Sequence, residues 1–95
     1  MKTHELKTVQ PHFDAIVTGR KRVEIRWDDR GFEVGDVLVL REYHPASMEF
    51  TGKITRVCVT HVLRGFAGLA PGWVAMSICP ESSQSPDLSD AMRSF

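Results

Sequence analysis

The sequence predicts a small α+β domain, mainly β, with one short helix lying over a closed or nearly closed barrel. Three observations predict it. Short runs rich in Val, Ile and Leu recur along residues 4–79 and are broken by glycines and polar pairs, which is the pattern of strands joined by turns. Several of these runs carry apolar residues on both faces, as expected where a sheet curls round on itself. Only one stretch, between Pro11 and Gly19, has helical spacing.

Taken in order, His4–Val9 reads as a short strand. Pro11 suits a first helical turn, because the N–H it lacks would be unpaired there anyway. Phe13, Ile16 and Val17 then recur at helical spacing, and Gly19 can take the left-handed conformation that ends a helix, so a helix is expected over 11–18. Arg22–Trp27 alternates strictly. Val23, Ile25 and Trp27 fall on one face, expected to be the core face, and Arg22, Glu24 and Arg26 on the other. Gly35-Asp36 reads as turn chemistry before a buried strand, Asp36–Tyr43. Glu49–Phe50 leads to an expected turn at Thr51-Gly52 and a long strand over Lys53–Leu63. Arg64–Gly72, with three glycines and a proline, is a loop, and Trp73–Cys79 is the last strand.

The domain is expected to end near Cys79. Residues 80–95 hold five serines from 82 onward and little to bury, so a disordered, Ser-rich acidic tail is expected there, with one loose turn near Leu88–Met92. At 95 residues the chain is one small domain, and 42% apolar residues suffice for a core. Twelve Lys and Arg balance twelve Asp and Glu, which excludes a binder working by bulk positive charge. The balance is a sum of unlike parts: residues 1–79 carry eleven cations and nine acids, residues 80–95 one and three. Any recognition of an anion must therefore come from a shaped local pocket.

No apolar stretch approaches the roughly 20 residues of a membrane span, and no signal-peptide core follows Met1. Cys58 and Cys79 lie in apolar runs without metal or redox spacing, so both are expected as packed thiols in a cytoplasmic setting. The four histidines show no ligand spacing either. No metal and no cofactor are expected, and neither a phosphate-binding Gly-Lys loop nor a serine elbow is present.

The chemistry concentrates in Gly19-Arg20-Lys21-Arg22-Val23-Glu24-Ile25-Arg26-Trp27. Glu24 and Arg26 share one side of a strand, and Lys21 stands at the junction where a helix gives way to it. Such a row can hold a phosphate or a polar base edge, with Glu24 orienting Arg26, or it can do acid–base work. It can equally be a solvated strand face with weak surface ion pairs. Around it, Trp27 either packs in the core or offers a stacking platform for a base. Arg30 either reaches a phosphate or pairs with Asp29. Lys7 and His4 lie on opposite faces of the first strand, so at most one of them faces a cleft. Tyr43 either packs or stacks on a ligand.

Gly19-x-Lys21-x-x-Glu24-x-Arg26 resembles the G-x-K-x-x-E-x-R signature of the ASCH domain, a branch of the PUA-like β-barrel superfamily. The chain is most similar to the short bacterial and phage proteins of the DUF3850 family. The likeness runs from His4-Glu5-Leu6-Lys7 through Phe13-Asp14-Ala15-Ile16, the signature, Asp29-Arg30-Gly31-Phe32, Val34-Gly35-Asp36-Val37-Leu38 and Thr51-Gly52 to Gly72-Trp73-Val74-Ala75-Met76-Ser77-Ile78. It implies a PUA-like barrel whose signature residues line a cleft beside the helix, and an association with RNA.

The ligand-binding residues implied are Lys21, Glu24 and Arg26, joined by Lys7, Arg30 and Trp27 from the reading above. The expected function is binding of RNA or a modified nucleotide by a monomer. The alternative is a small hydrolase of a modified nucleoside or RNA, with Lys21 and Glu24 as its catalytic pair. One ASCH branch deacetylates N4-acetylcytidine. There Lys21 matches the lysine, but Glu24 stands in place of the threonine nucleophile, and Lys53–Gly72 offers no carboxylate to match a distant glutamate. A third possibility is an accessory protein that binds a protein partner through its tail.

Overall fold

The computed structural model describes residues 1–81. It contains five strands and one short helix: β1 (Thr3–Thr8), α1 (His12–Val17), β2 (Val23–Trp27), β3 (Val37–His44), β4 (Glu49–Arg64) and β5 (Trp73–Pro80). The strands form one sheet in the order β1-β3-β4-β5-β2. β1 and β3 are parallel, and the other neighbours are antiparallel. The sheet curls into a half-barrel, and its two edge strands, β1 and β2, do not pair with each other.

β4 causes much of the curl. Its first part pairs with β3 and its second with β5, and residues 57 and 58 pair on both sides. Register shifts lie between Arg41 and Tyr43 on one side and between Val59 and His61 on the other. Each adds local twist, which turns a long ribbon into a bent one. The turn expected at Thr51-Gly52 is not a turn. β4 runs through it unbroken, Gly52 sits opposite the first register shift, and the chain reverses at residues 45–48 instead. The strand expected before that turn and the long one after it are therefore a single element.

The inner face carries the core. Leu6, Leu38, Leu40, Val57, Val59, Val74, Met76 and Ile78 alternate inward from four strands, with Ile16 from the helix and Phe32 from the loop after β2. Burying a side chain of this size stabilises the fold by roughly 1.5–3 kcal/mol. The helix begins one residue after Pro11, and Gly19 (φ 81°) ends the turn that follows it. Val17, expected on the core stripe, is exposed; Phe13 and Ile16 alone face inward. Cys58 and Cys79 stand directly opposite each other across β4 and β5, half-buried and without a disulfide. Burial pushes the Cys58 thiol up. Beyond Cys79, the Glu81 carboxylate pairs with Arg56. The expected loose turn in the tail lies outside the described residues.

Asp36 does more than the turn chemistry expected of it. Its carboxylate is completely buried. It accepts from the Lys2 N–H (2.9 Å), the Glu33 N–H (3.0 Å) and His4 Nε2 (2.9 Å). The start of β1, the loop before β3 and β3 itself are thereby tied to one side chain. Burial pushes the Asp36 carboxyl up, but these hydrogen bonds outweigh it and hold the group below the usual carboxylate value. A carboxyl lowered by folding stabilises the native state above its unfolded value of about 3.9, and that contribution is lost as pH falls through the lower folded value. Asp36→Asn should therefore cost about 3 kcal/mol at neutral pH. In urea unfolding, the gap between wild type and variant should hold down to about pH 4 and shrink only below it.

Candidate functional site

The site grows out of the unpaired edges. In β1, the residues that bond to β3 alternate with residues whose backbone groups point away from it; Lys2 O, for example, accepts from Val37 N. The carbonyls of Glu5 and Lys7 therefore face the gap between β1 and β2. Arginines meet them. Arg26 Nη2 donates to Lys7 O (2.9 Å) and more distantly to Thr8 Oγ1 (3.4 Å), and Arg30 Nη1 donates to Glu5 O (3.0 Å). Lys2 Nζ reaches back to Gly31 O (3.0 Å). The seam is bridged at the length of a side chain rather than of a backbone hydrogen bond.

The inner and outer faces of β2 are the reverse of those expected. Glu24 is 3% exposed, while Val23, Ile25 and Trp27 are 38%, 54% and 53% exposed. The expectation that Trp27 packs in the core is thus overturned. At an edge strand the inner face meets the seam and not the apolar core. A charged pair can be buried there because it is satisfied: Arg26 Nε donates to Glu24 Oε1 at 2.9 Å.

A cleft of about 640 Å³ opens along this seam. Lys7, Lys21, Glu24, Arg26, Trp27 and Arg30, the six residues singled out in the sequence, all contribute to its walls. Their settings differ. Lys21 projects at the helix end of the cleft, with Nζ 3.2 Å from His12 Nδ1, so the ammonium donates to the ring. Trp27 stands edge-to-face with Trp73, centroids 6.1 Å apart, and the pair makes an aromatic wall. Arg30 lies 3.7 Å from Asp29, the pairing expected as one of its two roles, and its Nη1 also bonds the Glu5 carbonyl of β1. Lys7 lends its backbone and stem, but its ammonium sits over the Tyr43 ring on the outer face. His4, on the opposite face of β1, is buried against Asp36.

His12 and Trp73 also line the cleft. His12 opens α1 and meets Lys21 across nine residues, and Trp73 reaches Trp27 through the β2–β5 register. Metal spacing is the wrong test for such a histidine, and no local pattern pairs the two tryptophans.

Two further carboxylates hold the frame. Asp28 binds Arg64 (2.8 Å) and accepts from the Phe32 N–H, and Arg64 also donates to Phe32 O, which fixes the loop carrying Arg30. Burial raises the Asp28 carboxyl, but Arg64 and the Phe32 N–H bring it below its ordinary value. Glu42 accepts from Gln10 (2.6 Å) and Thr51 (2.8 Å), which hold its carboxyl down and anchor the chain entering α1.

Among the described residues nothing accepts from Arg26 Nη1 or Arg30 Nη2. Two oriented guanidinium ends, an ammonium and an aromatic wall thus border one cavity. A planar ring bearing an anionic group matches that set.

A curled β half-barrel with a cation-bordered cleft at its open seam is the class of protein that this geometry defines. The family model described as "Domain of unknown function (DUF3850)" matches residues 3–78, and the chain belongs to that family. It is also similar to the "Uncharacterized 12.9 kDa protein in GpA 3'region" of Escherichia phage P2, with 39% identity over 61 residues. That match covers 64% of this chain, and the chain spans about half, 54%, of the relative's length. Among the described residues no helix is long and apolar enough to cross a membrane.

The aromatic wall leans on Gly72, which has φ 87° and whose Cα lies so close to Trp27 that an added Cβ would overlap the indole. Gly72→Ala should cost about 1–3 kcal/mol from backbone strain and crowding. It should also move Trp27 off Trp73, seen as a changed tryptophan signal in near-UV circular dichroism while the far-UV spectrum is kept.

Proposed function

We propose that the chain is a PUA-like half-barrel of the ASCH branch, acting in the cytoplasm, whose seam cleft binds RNA or a modified nucleotide. The observation that carries this reading is the meeting of the signature residues Lys21, Glu24 and Arg26 with Trp27 and Arg30 around one cavity. At about 640 Å³ it falls within the roughly 300–1,000 Å³ usual for small-ligand sites. A base stacks on Trp27, where one aromatic face contributes about 1–3 kcal/mol. A phosphate takes the outward N–H groups of Arg26 and Arg30. Glu24 holds Arg26 in place, and Lys21 meets the polar edge of the ligand at the helix end.

The test is fluorescence anisotropy against a panel of short RNAs and nucleotides at low salt. Lys21→Ala should weaken binding about tenfold, the loss of one charge-assisted hydrogen bond, without lowering the melting temperature, because the side chain's hydrogen bond to His12 is exposed and the backbone N–H bond to Ala15 is kept. A panel without a binder, or a variant that binds as wild type does, would sink the reading.

The Lys21–His12 contact favours a second reading, hydrolysis of a modified nucleoside or of RNA, since it sets a titratable ring beside the ammonium. Lys21 would stabilise developing charge and Glu24 would act as general base. Acylated nucleosides and single-stranded RNA are the substrates to try. Turnover should fall at least a hundredfold in both Lys21→Ala and Glu24→Gln; turnover that survives both rules this site out.

A further inference from the structure

A second depression, about 340 Å³, lies across the β1 edge from the cleft. The two share Leu6, Lys7, Arg26 and Arg30, so they are continuous over the seam. To these the outer depression adds Arg41, Phe50 and Glu5. Its walls thus hold four cations against one carboxylate, and Glu5 meets Arg41 only at 3.4 Å.

Arg41 and Phe50 line it as a cation on a ring, and a second such pair lies beside them. The Arg41 guanidinium lies over the Phe50 ring, 4.0 Å from its centroid, and Lys7 Nζ lies 4.4 Å from the Tyr43 centroid. The two rings pack edge-to-face at 5.1 Å as register partners on β3 and β4. Phe50 is 41% exposed. Both Arg guanidinium planes and aromatic rings are surfaces on which unpaired bases stack. A free phosphate would use the cations but not the ring; an acidic peptide likewise.

Resting on the reading of the cleft as a nucleotide site, we infer that this outer depression is a second subsite for single-stranded RNA. It takes the nucleotide flanking the one in the cleft. The linking phosphodiester crosses the β1 edge between Arg26 and Arg30, and the flanking base stacks on the Arg41–Phe50 layer. The strand thereby passes from the inside of the half-barrel to its outer face.

Binding of a nucleoside monophosphate and of a tetranucleotide RNA, each with Phe50→Ala and Arg41→Ala, tests this. Both side chains lie at the surface, and melting curves check that each variant is folded. The tetranucleotide should bind tighter than the monophosphate. Each variant should weaken the tetranucleotide roughly five- to hundredfold and leave the monophosphate unchanged. A tetranucleotide no tighter than the monophosphate, wild-type affinity in both variants, or equal competition by a poly-glutamate peptide overturns the subsite. The cleft reading survives those results as long as Lys21→Ala still weakens the monophosphate. If wild type binds neither ligand, both readings fall.

Discussion

The carbonyls of Glu5 and Lys7 point away from the sheet and are met by arginine side chains instead of a neighbouring strand. β1 turns them toward a gap that β2 borders but does not close, and both residues lie at the surface. Arg26 and Arg30 supply the donors from β2 and the loop that follows. A guanidinium reaches several ångströms farther than a backbone N–H, so the edges are fastened while a space is kept between them. Had β1 and β2 paired directly, the barrel would be closed and the cleft filled. Fold and site therefore draw on the same side chains.

Everything around the seam serves to hold that spacing. Asp36 gathers the first residues of β1 against the start of β3. Asp28 and Arg64 clamp the loop that carries Arg30 and seats Phe32 in the core. Glu42, through Gln10, sets where the helix begins and hence where His12 meets Lys21. Each of the three carboxylates is held below its ordinary value by hydrogen bonds. The loops beside the cleft are thus positioned by side chains that remain ionised across the neutral range.

Much of this was legible in the residues, for reasons that can be named. Pro11 and Gly19 bracket the helix because their backbone preferences are local. The strands show through their apolar runs for the same reason. Alternation in Val23–Trp27 revealed two faces but could not say which was inside. That depends on β2 being the edge at a polar seam, a fact of topology. Gly52 looked like a turn because a glycine in a bulge and a glycine in a hairpin leave the same local trace. Lys21, Glu24 and Arg26 could be paired with a cleft only through the resemblance of Gly19–Arg26 to a known signature. His12 and Trp73 enter it only through helix placement and strand register.

The double duty at the seam divides the cleft into two regions of unequal freedom. Glu24, Arg26 and Arg30 hold the edges together, so exchanging any of them disturbs the scaffold along with the cleft. Lys21, His12 and Trp27 border the cleft while their side chains fasten no edge. The shape and charge of the cleft can change at these positions without unfastening the edges. A single scaffold of this kind can serve different ligands while its charged seam stays the same.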